Sequence, residues 1–337
     1  MTTVDIPVRR RPTVRAIEGQ ELALVVVIAV LCLVLSLTTR TFLTSSNLSN
    51  ILFSVAPIAI MGIGMTAVIV TAGIDVSVGS AVALVMVIVS LAVRDSGLPF
   101  LPALLLALVL GLILGTVNGL LVAYGRVHPI IITFGTLNLY RFASLQVFNS
   151  KDVNGVPPTL QFFGGGEGGS TLGVPNAWWL AMVLGAIMWI YMRYWATGRH
   201  WYAIGGDADA ARLAGVRVAR RRVAAYAITG LLVGLAACCL IGSGGLIQQN
   251  IGTGLELQVI AAVVIGGTSI LGGRGTVLGT LLGALLVGIV SSAITLLGWP
   301  SELTELFIGL FILLAVGVDL VRQRRRLAAR FGRRKVA

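Results

Sequence analysis

The acidic residue Asp75 has a type and a setting that could do chemistry. It lies in the run GIDVSVGS, residues 73–80, between long apolar stretches and close to the hydroxyl groups of Ser77 and Ser80. Burying an ionised carboxylate in apolar surroundings is costly unless the group is paired, so we expect Asp75 to have a partner or to cap a broken helix. An N-cap role for the helix that follows is at least as well supported as contact with a solute. Proton coupling is the third and sharper hypothesis.

A second polar pattern lies in the run TFGTLNLYR, residues 133–141. Thr133 and Thr136 are three positions apart, as are Asn138 and Arg141, so on a helix they form a polar stripe that can face a pathway. Uncharged hydrogen-bonding side chains of this kind suit a neutral polyol or sugar better than an ion. The competing role of such side chains, which is commoner, is hydrogen bonding between helices.

The sequence offers little support for catalysis. Its histidines, His128 and His200, are far apart and belong to no HExxH pattern, and no nucleophile elbow is present. The pattern GxxxxGK followed by Ser or Thr is also missing, so the chain does not hydrolyse a nucleotide by that route. Cys32, Cys238 and Cys239 lie in apolar runs, where thiols behave as small hydrophobic groups. We therefore predict no catalytic residue, no metal site and no cofactor on this chain.

The elements that must position these residues are membrane helices. Of the 337 residues, 57% are hydrophobic and 11% are charged, with a mean hydropathy of +0.96, whereas soluble domains are about 25% charged. The net charge of +12 comes from arginines at the ends and junctions. They form no continuous basic stripe with aromatic residues, which disfavours nucleic acid as a partner. The positive-inside rule explains them better.

Apolar windows of membrane-spanning length predict about ten transmembrane helices, and therefore an all-α, polytopic membrane helix bundle. The third and eighth windows are short. The windows are 22–38, 51–71, 79–93, 101–123, 130–147, 177–195, 221–243, 257–271, 276–297 and 303–320.

The charge distribution predicts the topology. Counted from a cytoplasmic N-terminus, the arginine-rich junctions fall inside and the arginine-poor segments, including 244–256, fall outside. We expect a multi-pass protein of the inner, cytoplasmic membrane with both termini in the cytoplasm. The predicted parts are a cytoplasmic tail (1–21), a transmembrane domain (22–321) with a periplasmic loop (148–176) and a cytoplasmic loop (198–220), and a basic cytoplasmic tail (322–337).

The periplasmic loop contains Pro157, Pro158 and the glycine-rich run GGGEGG, residues 164–169. It is either a docking surface for another protein or a plain flexible connector. The glycines slightly favour the connector.

A polar insert from Tyr202 to Arg222 interrupts the apolar segments and predicts a short capped helix. Asp207 can cap this helix through its carboxylate, and Gly215 supplies a left-handed stop. The side chains that share its thin apolar face are Ala210, Leu213 and Ala214. On the segment alone, docking to a soluble partner and a solvated loop are equally supported.

Taken together, the motifs resemble those of membrane permease subunits of ATP-binding-cassette importers for ribose and related sugars, a branch that includes autoinducer-2 import permeases. Besides GIDVSVGS and TFGTLNLYR, the resemblance rests on GRHWYAIGGDADAARLAGV (198–216), GTGLELQVIAAVVIGGTSILGGRGTVLG (252–279) and the last apolar segment, which ends at Asp319. These motifs cover nearly the whole chain in the family's order. The strings TLNLYR and GTGLEL are nearest to the autoinducer-2 importers, but similar strings occur in permeases for rhamnose and other polyols.

This resemblance implies that residues 22–321 form a permease domain and that the chain is not an enzyme. Two permease subunits, identical or sister chains, would form a pathway for a sugar or sugar-like solute such as ribose, autoinducer-2 or rhamnose. An extracytoplasmic solute-binding protein would deliver the solute, and a partner ATPase would bind ATP and Mg and drive the spans between two states. The rival hypothesis is an ion-coupled secondary transporter or channel that uses Asp75.

The resemblance also assigns roles to residues. The polar insert becomes a coupling helix gripped by the ATPase. The residues implied in coupling are Gly205, Gly206, Asp207, Ala210, Ala211, Leu213 and Gly215. The residues implied near the solute pathway are Asp75, Ser77, Asn118, Thr133, Thr136 and Asn138.

Overall fold

Nearly all regular structure in the computed structural model is helical, within the residues that it describes, 19–165, 167–244 and 246–317. The helices are α1 (Gly19–Thr38), α2 (Ser45–Val70), α3 (Val78–Ser96), α4 (Phe100–Tyr124), α5 (Pro129–Phe148), α6 (Asn176–Tyr194), α7 (Ala196–Gly206), α8 (Ala208–Leu213), α9 (Val218–Gly242), α10 (Leu255–Ile265), α11 (Val277–Leu296) and α12 (302–317). Between α5 and α6 lie two short 3-10 helices (Pro158–Phe163, Glu167–Gly169) and a hairpin of strands β1 (Ser170–Thr171) and β2 (Val174–Pro175). Most of the predicted N-terminal tail, the predicted C-terminal tail and Asp319 lie outside the described residues.

Seven helices are long and apolar enough to cross a membrane: α1, α2, α3, α4, α6, α9 and α11. The expected polytopic, all-α bundle is therefore confirmed. Helices α5 and α12 coincide with the predicted windows 130–147 and 303–320, as far as the described residues reach. The helix in the eighth window is much shorter than a membrane span.

That eighth window, 257–271, is not a full span. Helix α10 has 11 residues, which is about 16 Å of helix at 1.5 Å per residue and roughly half of a ~30 Å bilayer core. It ends just before Gly267, whose left-handed backbone (φ +96°) no helix can continue. The chain before α10 enters the bundle, since a Cβ at Gly79, in the first turn of α3, would collide with the carbonyl of Gly252. Residues 252–256, which the charge distribution predicts on the outer side of the membrane, pack against the first turn of α3.

Helix α2 is the centre of the bundle. In its most apolar window 89% of the residues are buried, and α6, α9, α10 and α11 pack around it. In α1, α4 and α6 the buried share is 17%, 22% and 28%. The exposed leucines and valines of these helices suit contact with lipid, which is as apolar as they are.

Glycines let α4 and α9 approach each other closely. A Cβ at Gly111 would collide with the carbonyl of Gly230, and a Cβ at Gly115 would collide with the carbonyl of Tyr226. Small residues at membrane helix contacts allow backbones to meet in this way. Gly119, the residue after Asn118, also lies against Val223 and Tyr226 of α9.

The segment between α5 and α6 is folded against the bundle. Val153 and Ile247 form an antiparallel bridge with N···O distances of 3.0 and 2.8 Å. The amide of Gln249 donates a hydrogen bond to the carboxylate of Asp152 at 3.0 Å, and Phe163 is buried. The interpretation of this loop as a plain flexible connector, which the glycines slightly favour, is therefore wrong for the part that the structure describes.

Candidate functional site

Asp75 lies in an irregular turn between α2 and α3. Helix α2 ends at Val70, and Ala72 adopts left-handed backbone (φ +62°). The Asp75 carboxylate accepts hydrogen bonds from the Ser77 amide at 2.9 Å and from the Ser77 hydroxyl at 2.7 Å. The N-cap residue of α3 is Ser77. The expected N-cap role of Asp75 is therefore wrong, because the carboxylate closes the turn onto Ser77 before the helix begins.

Asn118 of α4 closes the same turn from the side. Its Nδ2 donates to both carboxylate oxygens of Asp75, at 3.3 Å each, and to Ser77 Oγ at 2.7 Å. Its Oδ1 accepts a hydrogen bond from the hydroxyl of Tyr140 on α5 at 3.2 Å. Asp75 is 3% exposed and Asn118 is 1% exposed. In such a water-poor site each hydrogen bond is electrostatically stronger than it would be in water.

Two further side chains hold the backbone of the turn. Thr133 of α5 donates its hydroxyl to the carbonyl of Ile74 at 3.1 Å and accepts the amide of Val76 at 3.3 Å. The hydroxyl of Tyr226 on α9 donates to the same carbonyl of Ile74 at 3.4 Å. Three helices, α4, α5 and α9, therefore converge on residues 74–77.

The residues predicted near the solute pathway fall into two groups. One buried network joins Asp75, Ser77, Asn118 and Thr133. Thr136 lies beside it, buried, with its hydroxyl donating to the carbonyl of Thr133 at 3.2 Å. Asn138 lies on the opposite, exposed face of α5, where its amide donates to the carbonyl of Phe134 at 2.8 Å. The single polar stripe expected on α5 is thus divided between two faces.

The charge of Asp75 has no cationic partner in the part of the chain that the structure describes. Its partners are the neutral donors of Ser77 and Asn118. These hydrogen bonds hold the carboxylate in the turn and join the turn to α4. This geometry supports a bracing role for Asp75 better than a proton relay.

Tyr140 and Tyr226 are members of this network that sequence reasoning missed. Both rings are buried, at 8% and 0% exposure, and each hydroxyl reaches a partner on another element. A buried phenol normally finds such a partner, so a tyrosine within a predicted span is the signal that could have identified them.

The polar insert forms two helices, whereas one was expected. Helix α7 extends to Gly206, and only Ala208–Leu213 form the short helix α8. Asp207 separates them with extended backbone and caps α8, accepting hydrogen bonds from the amides of Asp209 and Ala210 at 3.0 Å each. Gly215 adopts left-handed backbone (φ +84°) after the helix. The cap and the stop are therefore confirmed.

Helix α8 presents one apolar side outward and fastens the other to the protein. Leu213 is 91% exposed, and Ala210 is exposed with it. Ala211 is buried against Ile204 of α7 and Val218 of α9. An exposed leucine on a helix held from behind can dock into a groove of a partner.

Helix α7 packs where two glycine-rich linkers meet, one after α2 and the other after α10. The amide of Gly273, after α10, donates to the carbonyl of Val70, at the end of α2, at 2.9 Å. A Cβ at Gly205 of α7 would collide with both of these backbone groups. The hydroxyl of Tyr202 donates to the carbonyl of Gly275 at 2.9 Å. A displacement of α7 and α8 therefore acts directly on the ends of membrane helices.

A second contact leads from the insert to the Asp75 turn. The indole of Trp201 on α7 donates to the carbonyl of Arg221 in α9 at 2.9 Å. The same helix α9 carries Tyr226, whose hydroxyl reaches Ile74. The insert and the buried network are thus connected through one rigid helix.

Comparison with known proteins matches residues 47–316 to the family described as "Branched-chain amino acid transport system / permease component". No solved structure matches the chain.

Curated relatives are similar over most of their length. The ribose import permease protein RbsC of Escherichia coli (strain K12) is 38% identical over 326 residues, covering 96% of this chain and 100% of the relative. The fructose import permease protein FrcC of Rhizobium meliloti is 35% identical over 287 residues, 82% of this chain and 79% of the relative. The autoinducer 2 import system permease protein LsrC of Photorhabdus luminescens is 34% identical over 292 residues, 86% of each chain.

Proposed function

The chain belongs to the branched-chain amino acid transport system permease family, and we propose that it forms part of the translocation pathway of an ATP-driven importer for a sugar or sugar-like solute. As a permease component it is a multi-pass membrane protein and no enzyme. The observation that carries the proposal is the similarity to the ribose import permease over the whole length of that relative. Although the family description names amino acids, the relatives named for fructose and autoinducer 2 also favour a polyhydroxyl solute.

The proposed assembly has several subunits. A cytoplasmic ATPase subunit binds ATP and Mg, because this sequence has no phosphate-binding loop. An extracytoplasmic solute-binding protein delivers the solute, and a second permease subunit, identical or a sister chain, completes the pathway. We place both termini in the cytoplasm of a cell with this protein in its inner membrane. Residues 22–321 form the permease domain, with loop 148–176 in the periplasm and loop 198–220 in the cytoplasm.

We propose that α8 is the coupling helix. Leu213 and Ala210, which are exposed, contact the ATPase. Asp207 and Gly215 shape the two ends of the helix. Ala211 fastens it to the bundle. Of the preceding glycines, Gly205 seats α7 against Val70, whereas nothing lies within 4 Å of a Cβ at Gly206.

The movement that couples ATP hydrolysis to transport passes through packed helices, which switch between two arrangements. A push on α8 moves α7 and the start of α9, and α9 reaches the turn at Ile74 through Tyr226. Of the predicted pathway residues, Asn138 on the open face of α5 contacts the solute. The buried ones act indirectly by bracing α3, α4 and α5; they are Asp75, Ser77, Asn118, Thr133 and Thr136.

An ion-coupled carrier that uses Asp75 is less well supported. The carboxylate is 3% exposed and is held by neutral donors. A transport ion or proton would have to reach it by dismantling the turn.

Cross-linking tests the coupling assignment. Leu213→Cys, in a background without Cys32, Cys238 and Cys239, is expected to cross-link to the co-expressed ATPase subunit through a bifunctional thiol reagent. Leu172→Cys is the matched control, because Leu172 is 90% exposed but lies in the hairpin between α5 and α6. Equal cross-linking of both cysteines to the ATPase, or of neither, would contradict the assignment.

A further inference from the structure

A cavity of about 410 Å³ lies at the end of the bundle that carries the polar insert. The last turns of α6, the middle of α7 and the start of α11 enclose it. Its volume falls within the range of ~300–1,000 Å³ that is typical of ligand sites. Two arginines, Arg193 of α6 and Arg199 of α7, line it together, and no acidic residue lines it in the part of the chain that the structure describes.

Both arginines keep most of their hydrogen-bonding capacity. Nη1 of Arg199 donates to the carbonyl of Tyr194 at 2.7 Å. The guanidinium of Arg193 lies over the rings of Trp189 and Tyr194, 5.4 and 5.7 Å from their centroids. Among the described residues neither arginine has an ion-pair partner. A guanidinium is a planar fork of five N–H donors that matches the oxygens of a phosphate, so the pair can hold one between them.

The other side-chain polar groups of the cavity are already engaged. The hydroxyl of Tyr202 donates to the carbonyl of Gly275 at 2.9 Å, and the hydroxyl of Thr276 donates to the carboxylate of Glu21 at 2.6 Å. Glu21 is 5% exposed and does not line the cavity. The charge that faces the cavity is therefore positive, and the arginines supply its open donors.

The cavity lies where a membrane meets water. Arg193 is in the last turn of α6, a helix that is long and apolar enough to cross a membrane. Tyr194 and Trp195 beside it are exposed, as aromatic residues at a membrane surface are. Ile187 and Ile190, within the two preceding turns of the same helix, are exposed as well. Apolar surface for an acyl chain is thus next to a cationic cavity.

We propose that this cavity binds the phosphate of an anionic phospholipid headgroup between Arg193 and Arg199. Basic pockets between membrane helices bind such headgroups in other proteins. A free phosphate ion presents the same oxygens, but the exposed apolar side of α6 favours a ligand that has acyl chains. The bound headgroup lies against Tyr202 and therefore beside the contact that joins α7 to the linker before α11. This ligand is distinct from the transported solute, so the inference does not depend on which solute is moved.

The test measures lipid binding by the purified, full-length chain in a neutral detergent. The chain is titrated with dioctanoyl phosphatidylglycerol or dioctanoyl phosphatidylcholine, with inorganic phosphate as a competitor, and dissociation constants are obtained by native mass spectrometry. The variant is Arg193→Gln combined with Arg199→Gln. The matched control is Arg217→Gln combined with Arg220→Gln. These exposed arginines lie at the same end of the bundle but do not line the cavity.

We expect phosphatidylglycerol to bind at least about tenfold more tightly than phosphatidylcholine, whose positive choline group the arginines repel. The cavity variant should lose this preference, because a lost hydrogen bond to a charged group weakens binding about tenfold. The control variant should keep it. Equal losses in the two variants would indicate diffuse attraction to the arginines and would overturn the site. Displacement of the lipid by an equal concentration of inorganic phosphate would overturn the lipid as its ligand.

Thermal unfolding in the same detergent shows whether the variants are folded. It is also a second readout, since a ligand that binds only the folded state raises the unfolding temperature. Phosphatidylglycerol should raise it for the wild type and the control variant, and not for the cavity variant. If the cavity variant cannot be purified, Arg199→Gln alone gives the same comparison. A cavity variant that binds the lipid normally but no longer binds the ATPase subunit would assign the cavity to an acidic side chain of that partner and overturn the proposal.

Discussion

The backbone amide of Gly273 donates a hydrogen bond to the carbonyl of Val70 at 2.9 Å and so joins the linker after α10 to the end of α2. Gly205 of α7 lies against both groups, with no room for a side chain. The helix that carries the proposed coupling segment is therefore seated on two membrane elements at once. Because packed interiors are stiff, a movement of α7 at this contact is transmitted to the bundle.

The close packing of Gly205 against Val70 and Gly273 predicts that Gly205→Ala impairs the coupling of ATP hydrolysis to uptake. The new Cβ would collide with Val70 and Gly273 backbone atoms, which cannot move aside as a flexible side chain would. We expect ATP-driven uptake to fall at least several-fold while membrane insertion is unchanged. Gly206→Ala is the control, because nothing lies within 4 Å of a Cβ at that position. Equal uptake by the two variants in vesicles would show that the close packing of Gly205 is unimportant for coupling.

Exposed Leu213 gives a second prediction. Leu213→Ser should uncouple ATP hydrolysis from uptake without lowering the stability of the permease, because a surface substitution usually changes stability by no more than about 0.5 kcal/mol. Leu172→Ser, at an equally exposed leucine in the hairpin, should leave coupling intact. The measurement is ATPase stimulation and uptake in the reconstituted complex. Normal coupling in Leu213→Ser contradicts the docking role of this side chain.

Substitutions of Asp75 distinguish a structural role of this residue, in holding the turn together, from a role in ion coupling. Asp75→Asn keeps an oxygen that can accept from Ser77, so ATP-driven uptake should be retained. Asp75→Leu leaves the buried donors of Ser77 and Asn118 unsatisfied, and each such group costs about 1–3 kcal/mol. Its thermal unfolding temperature in detergent should therefore fall. Loss of uptake in a stable, assembled Asp75→Asn variant would favour the ion-coupled alternative.

The contact between α4 and α9 gives a prediction about stability. Gly115→Ala places a methyl group against backbone atoms of Tyr226 and Gly230, and such overpacking costs about 1–3 kcal/mol. Gly135→Ala on α5 has no atom within 4 Å and should be neutral or stabilising, since alanine is the better helix former. Thermal unfolding in detergent compares the two. A lower unfolding temperature for Gly135→Ala than for Gly115→Ala would contradict the packing described.

The regular membrane helices could be predicted from the sequence because their apolar length alone identifies them. Windows such as 101–123 and 276–297 lie within a residue or two of α4 and α11. The cap at Asp207 and the stop at Gly215 were predictable for a similar reason, since each depends on local backbone chemistry.

Features that depend on contacts between distant segments could not be predicted in this way. The predicted apolar window of α10 continues past Ile265, but Gly266 packs against Gly279 of α11 and Gly267 adopts left-handed backbone, so the helix ends there. Thr136 and Asn138 are both polar, and only the tertiary packing shows that one is buried and the other exposed. The sequence likewise shows that Arg141 is a polar residue of α5. It does not show that Arg141 contacts the carbonyl of Ile251, which is 110 positions away.

The most direct test of the account is uptake by the transporter reconstituted with and without its ATPase subunit. Proteoliposomes that contain the chain, the ATPase and the loaded binding protein are supplied with ATP and labelled sugar. We expect uptake that requires ATP, the ATPase and the binding protein, and that continues when ionophores remove every ion gradient. Uptake by the chain alone, driven by an ion gradient and independent of ATP, would contradict it.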